Sequence, residues 1–256
     1  MKVVLQDKTK ISILEAIFQL LKNASNCVHF QFHTNQLLIQ GMDKSHVCLF
    51  KISIASTWFT EYSVETNQTL SLDTNIFFTI LSHVKSDTLV IHYDEESDGD
   101  VLDIELLCND KTKGDFDRFF TIPLITLDYD SINIPLIDYD AEFSLECKKI
   151  VDLTSQLILF GNTLNIICSE SGIDLKTTGD NGAMKVNLPI DELSEFSIAE
   201  GEQLDIEYSL NYIQKICLTT KLAKEVKISI SADYPICIQY DLGQDSSVLF
   251  FVAPKI

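Results

Sequence analysis

Three of the five histidines, a run of acids and seven cysteines are the residues of this chain whose types and spacing could do chemistry. His29 and His33 are spaced to share one face of an alternating segment, and His46 follows in a loop. Zinc would ask for a thiolate or carboxylate at a matching spacing, and none stands there, so no metal site is expected. The acids of Asp94-Glu95-Glu96-Ser97-Asp98-Gly99-Asp100 could act as an acid–base pair in isolation. Their density and the enclosed glycine instead read as a solvated hairpin loop. Cys27, Cys48, Cys108, Cys147, Cys168, Cys217 and Cys237 are scattered, odd in number and form no CxxC pair, which reads as reduced core thiols. The minimum parts of a serine-hydrolase elbow (GxSxG), a zinc-protease helix (HExxH) and a phosphate loop (GxxxxGK[ST]) are all missing. The expectation is a protein without enzymatic activity, cofactor or metal.

If the chain does no chemistry, its surfaces must carry its function. Apolar residues make up 46% of the 256 positions and charged ones 22%, with only 9 Gly and 5 Pro, which describes an ordered globular chain. The length suits one large domain or two of about 125 residues each. No apolar run approaches a membrane span, and the opening residues lack the apolar core of a signal peptide, so a soluble intracellular protein is expected. The net charge is −19, and Arg118 is the only arginine. Such a balance argues against binding nucleic acid by general electrostatics alone.

The chain repeats itself at a shift of 136 residues. Leu14, Ile17, Phe18 and Leu21 form the apolar stripe of an amphipathic helix. Val28, Phe30 and Phe32 then alternate with polar residues, Asn35 and Gln36 turn the chain, and Leu37 and Ile39 resume the pattern, as a hairpin requires. Leu164, Ile166 and Cys168, the Ser171-Gly172 turn, and Ile173 and Leu175 repeat it. Phe143 to Leu157 is the matching helix. Asn75-Ile76-Phe77 with Ile80 corresponds to Asn211-Tyr212-Ile213 with Ile216, again in helical segments. Strands at Leu89–Tyr93 and Val226–Ile230 follow, and Phe119–Ile125 parallels Phe250–Ile256. Two copies of one α+β unit are expected. Their bounds are 1–123 and 141–256, with a proline-bearing acidic connector at 124–140.

Three motifs and the connector resemble one known family. Met42-Asp43-Lys44-Ser45-His46-Val47 is similar to the Met-Asp-x-Ser-His-Val segment of the proliferating cell nuclear antigen family, the eukaryotic, archaeal and viral DNA sliding clamps. Asp233-Tyr234-Pro235 matches the Asp-x-Pro of those clamps, and Ala253-Pro254-Lys255-Ile256 their closing residues. Leu127-Asp128 and Ile132-Asn133-Ile134-Pro135 resemble their interdomain loop. The resemblance implies two similar clamp domains per subunit, with antiparallel sheets outside and helices inside a pseudo-sixfold trimeric ring.

It also implies where partners attach. A hydrophobic pocket would be built from Met42, His46, Val47, Leu49, Leu127, Ile132, Ile134, Tyr234, Pro235, Ala253, Pro254 and Ile256. Through PIP-box-like peptides it would hold DNA polymerase, ligase and nuclease, and a clamp loader would be a further partner. Arg118, Phe120, Ile122, Met184 and Val186 would join subunits of a homotrimer. Lys10, Lys22, Lys85, Lys148, Lys149, Lys215 and Lys221 would face duplex DNA without reading its sequence. Relatives often place lysines near the positions of Ile11, Ser12 and Phe18, so this inner face is thinly charged. Glu170 stands where relatives commonly carry a ubiquitin-accepting lysine, which implies that this switch is absent. The alternatives are a subunit of a heteromeric ring and an interaction scaffold that never encircles DNA. The expected place is the nucleus, or a replication site in the host cell if a virus encodes the chain.

Overall fold

The computed structural model describes residues 1–82, 86–94, 99–109, 116–126, 132–135 and 137–255. Two compact units divide the chain. One holds Met1–Gly41, Lys51–Ile132 and Leu242–Ser247, the other Met42–Phe50, Asn133–Asp241 and Val248–Ile256.

In chain order the first half runs β1 (Lys2–Leu5), α1 (Lys8–Ala24), β2 (Cys27–Phe32), β3 (Gln36–Met42), β4 (Cys48–Ala55), β5 (Glu61–Ser63), β6 (Gln68–Asp73), α2 (Thr74–Ser82), β7 (Thr88–His92), β8 (Val101–Leu107) and β9 (Arg118–Pro123). The second half runs β10 (Ala141–Glu146), α3 (Cys147–Leu157), β11 (Thr163–Ser169), β12 (Gly172–Gly179), β13 (Gly182–Leu188), β14 (Glu195–Ile198), β15 (Leu204–Ser209), α4 (Leu210–Ile216), β16 (Glu225–Ser231), β17 (Tyr234–Gly243) and β18 (Ser246–Val252). Among the described residues both halves therefore follow one order of strands and helices. The sheets agree as well. Strands β5-β1-β7-β8-β9 are neighbours in that order, as are β14-β10-β16-β17-β18, and β6-β2-β3-β4 is matched by β15-β11-β12-β13. Each strand of the first half has its counterpart nine strands later.

The register repeats too. Phe30 faces Ile39 and Phe32 faces Leu37 across β2 and β3. Ile166 faces Leu175 and Cys168 faces Ile173 across β11 and β12, so the 136-residue shift holds pair by pair. One expectation is corrected here. Phe143–Glu146 is not helical but lies in β10, which pairs with β14 on one side and β16 on the other. Helix α3 begins only at Cys147.

Local chemistry sets the helix ends. The Asp7 carboxylate accepts from the N–H groups of Thr9 and Lys10 at 2.8 and 3.4 Å, which starts α1. The Asp73 carboxylate does the same for Asn75 and Ile76 at 2.8 and 2.9 Å and starts α2. Leu14, Ile17, Phe18 and Leu21 are all buried. Phe18 lies 4.5 Å from Phe77 of α2 and 5.5 Å from Phe30 of β2, ring centre to ring centre, so two helices and a sheet meet at one aromatic cluster. Burial pushes the thiols of Cys48, Cys217 and Cys237 up to about 12 and those of Cys147 and Cys168 up to about 11, leaving them protonated at neutral pH. No helix among the described residues is long and apolar enough to cross a membrane.

Removing the ring at the centre of the aromatic cluster leaves a cavity that three elements cannot close. Phe18→Ala is expected to cost about 3–5 kcal/mol of stability, read as a lowered urea midpoint.

Candidate functional site

Residues far apart in sequence converge in the second unit. Met42, His46, Val47 and Leu49 come from the β3–β4 loop and its rim, Ile134 from the connector, Tyr234 and Pro235 from the start of β17, and Ala253 from beyond β18. Together with Asn133, Pro135, Ile137 and Phe251 they line an apolar cavity of about 260 Å³. Met42 and Tyr234 stand at its mouth, 38% and 44% exposed, whereas Phe251 is 9% exposed. Large apolar groups held half open in this way form a place for apolar groups of another molecule.

Each wall is fixed by identifiable bonds. Tyr139 donates its hydroxyl to the Pro235 carbonyl at 3.2 Å, tying the connector to β17. The Ala253 N–H donates to the Val47 carbonyl at 3.0 Å and holds the C-terminal residues against the loop. The loop itself is wrapped around the Asp43 carboxylate, which is 7% exposed. Its oxygens accept from the N–H groups of Ser45, Val47 and Cys48 at 3.0, 2.8 and 2.7 Å, and from the Tyr212 hydroxyl at 2.6 Å. Within this wrap His46 adopts φ 56, a left-handed conformation that a non-glycine residue takes only when its surroundings impose it. Its Nδ1 lies 3.2 Å from the Met42 sulfur.

Of the residues expected in the pocket, eight therefore line one cavity. Ile132 does not line it. Pro254 does not either, because it forms an isolated bridge with Tyr208. Leu127 and Ile256 lie outside the described residues. Phe251 could have been read from alternation, which turns it to the face opposite Phe250. Asn133, Pro135 and Ile137 flank the Ile134 already singled out.

Several of the lysines are held by groups of their own chain. Lys10 donates to the Trp58 carbonyl at 2.6 Å and to Gln244 Oε1 at 2.8 Å, with its ammonium 5.2 Å from the Trp58 ring centre. Lys22 lies over the Phe78 ring at 3.8 Å, and Lys149 pairs with Glu192 at 2.6 Å. Lys148, Lys215 and Lys221 are exposed, and Lys85 lies outside the described residues. Ile11 and Phe18 point into the core, 5% and 0% exposed, so neither position is one where a duplex-facing lysine could stand. Helix α2 contains no basic residue.

At the sheet edges, β9 ends one sheet of the first unit and β13 one sheet of the second. Phe120 is half-buried and Ile122 buried against its own unit, while Arg118 is exposed and Met184 and Val186 are half-buried on β13. Phe119, at 69% exposure, and Phe116, at 71%, are the large apolar groups that β9 and its approach leave uncovered. Neither is among the residues individually named for the subunit interface. Among the described residues no three His, Cys, Asp or Glu side chains gather as a metal site, and His29 Nδ1 lies 2.6 Å from Ser71 Oγ.

A doubled α+β unit, with two helices and the same two runs of mostly antiparallel strands in each half of the described residues, is the DNA-clamp fold. Comparison with known families agrees along the whole chain. Residues 5–132 match the model of the proliferating cell nuclear antigen N-terminal domain, and residues 133–256 match that of its C-terminal domain. The chain belongs to the proliferating cell nuclear antigen family, whose members are non-enzymatic sliding clamps and processivity factors of DNA replication and repair. It is 28% identical over 250 residues to proliferating cell nuclear antigen 2 of Plasmodium falciparum (isolate 3D7), covering 94% of each chain. It is 24% identical over 250 residues to proliferating cell nuclear antigen of Chaetomium thermophilum, covering 96% of this chain and 95% of the relative. It is 27% identical over 223 residues to proliferating cell nuclear antigen 2 of Drosophila melanogaster, covering 87% and 86%.

Burial alone would raise the Asp43 pKa, but the Tyr212 hydroxyl and the N–H groups of Cys48, Ser45 and Val47 outweigh it and hold the carboxyl below its ordinary value. A carboxylate whose folded pKa is depressed contributes stability that is fully present above the unfolded value, near 3.9, and lost as pH falls through the lower folded value. In urea unfolding at a series of pH values, the stability difference between wild type and Asp43→Asn is therefore expected to stay constant near neutrality. It shrinks only in the acid range below about pH 4.

Proposed function

We propose that this chain is one subunit of a homotrimeric DNA sliding clamp. The ring would encircle duplex DNA, serve as a polymerase processivity factor, and hold polymerase, ligase and nuclease by PIP-box-like peptides seated in the apolar pocket. The observation that carries this reading is the pocket itself: eight residues from four separated segments meet in one cavity of about 260 Å³ in a chain of this family. A few desolvated apolar side chains placed there would supply most of a peptide's affinity. The nucleus is the proposed place of action, or a viral replication site if the chain is virus-encoded.

Ring formation is supported by the two sheet edges. A free β-edge invites another strand, and pairing β9 of one copy with β13 of the next is a head-to-tail contact that closes into a ring when the rotation fits. Phe116 and Phe119 supply apolar area for that contact. The duplex would be met by exposed lysines such as Lys148 and Lys215. So few cations give little counterion release, and the ring would hold DNA mainly by enclosing it. A clamp loader would then be needed to place it, because a net charge of −19 on each subunit opposes unassisted adhesion.

The attachment of Lys10, Lys22 and Lys149 to groups of their own chain also favours a second reading, a subunit of a heteromeric ring or a scaffold that does not encircle DNA. Solution mass separates the two. Light scattering coupled to size exclusion is expected to give three times the 28.9 kDa chain across a concentration series, and a persistent monomer would sink the homotrimer. Replacing Phe116 and Phe119 together by Asp is expected to reduce that mass to the monomer's without unfolding the chain. Tyr234→Ala is expected to leave the mass unchanged while weakening a PIP-box-like peptide about tenfold, measured by fluorescence anisotropy.

A further inference from the structure

The loop that forms one wall of the pocket is braced from two sides. Three of the four donors to the Asp43 carboxylate, the N–H groups of Ser45, Val47 and Cys48, belong to the loop itself. The main chain closes it further, with Asp43 N–H donating to the Cys48 carbonyl at 2.8 Å and His46 N–H donating to the Asp43 carbonyl at 3.1 Å. These bonds define the loop's internal shape and would persist if it swung as a rigid body. The fourth donor is different. Tyr212 lies on α4, 169 residues away in sequence, and its hydroxyl reaches Asp43 Oδ2 at 2.6 Å.

That short bond to a charged, mostly buried acceptor is of the stronger kind. Together with the Ala253 N–H bond to the Val47 carbonyl, it sets where the loop stands relative to α4, and so where Met42, His46 and Val47 stand relative to Tyr234 and Pro235 across the cavity. Tyr212 itself does not line the cavity. We propose that Tyr212 is a positioning residue for the peptide pocket: through Asp43 it holds the Met42–Leu49 wall in the open, binding-ready place, without touching the bound peptide. The inference rests on reading the pocket as a peptide site.

A positioning role has a kinetic signature. When a contact only keeps the site in its competent arrangement, losing it lowers the competent fraction, and apparent affinity falls in proportion to that fraction. The association rate carries the loss and the dissociation rate changes little. Losing a group that touches the peptide would instead speed dissociation.

The test uses the full chain, with Tyr212→Phe to remove one oxygen atom, Asn211→Ala as a control on the exposed side of α4, and a fluorescein-labelled PIP-box-like peptide. Stopped-flow binding is expected to show an association rate about tenfold lower for Tyr212→Phe, a dissociation rate within about twofold of wild type, and no change for Asn211→Ala. In ¹⁵N spectra the Val47 and Cys48 amides of Tyr212→Phe should shift while those of β11 and β12 stay in place. Wild-type rates in Tyr212→Phe, or a loss carried by dissociation, would overturn the positioning role. Loss of the fold would overturn it as well, since the bond would then belong to the core. A wild-type chain that ignores the peptide overturns the peptide-site reading instead, and the amide shifts still decide whether Tyr212 places the loop.

Discussion

Each sheet in this chain has one face that cannot be left in water, and the short helices are what cover it. Alternation along β2, for example, sends Phe30 and Phe32 to the same side, where Phe18 of α1 and Phe77 of α2 complete the cluster. Transferring such side chains from water contributes about 1.5–3 kcal/mol apiece, more than any surface ion pair in the molecule can. The helices are too short to persist alone, at 17 and 9 residues in the first unit, and owe their existence to this packing. Because the second unit meets the same demand in the same order, the fold is a single solution used twice.

On that rigid base the functional surface is assembled from irregular segments, which need their own fixing points. Backbone groups drawn wholly or partly out of water in a loop must find partners, and here one carboxylate satisfies three of them at once. An asparagine could offer only one oxygen to the same donors. The charge is retained because four donors compensate its removal from water, and their combined effect is visible in the depressed pKa. A connector tied at Tyr139 and a C-terminal segment tied at Ala253 complete the pocket with the same economy of contacts.

The repeat was readable because hairpins obey a strict period of two, so a matching register leaves a matching pattern: Val28 with Leu164, Ile39 with Leu175. Helix α3 was extended too far toward its N-terminus because Phe143, Cys147, Ile150 and Leu157 keep a helical spacing across a boundary that pairing with β14 and β16 decides. Local periodicity cannot see a strand's neighbours. The pocket lay further from view. Met42, Tyr234 and Ala253 were found through motif resemblance, whereas the bond between Asp43 and Tyr212 joins residues that no spacing relates. The surroundings of a lysine are hidden for the same reason: nothing around Lys10 in sequence announces that Trp58 and Gln244 will hold its ammonium.

The uncharged surface of α2 has one more consequence. Asn75, Ile76 and Thr79 form its exposed side, with Ile76 at 46% exposure. A helix whose cations bind phosphates must break those contacts each time it advances, which makes a rugged path with a barrier at every step. In the proposed ring such a neutral surface would give the polyanion little to grip beyond the Lys22 ammonium over Phe78. If the proposed ring encloses DNA with so few charges, residence at any one position would be weak and friction low, with a diffusion constant along the helix set more by hydrodynamic drag than by repeated ionic release.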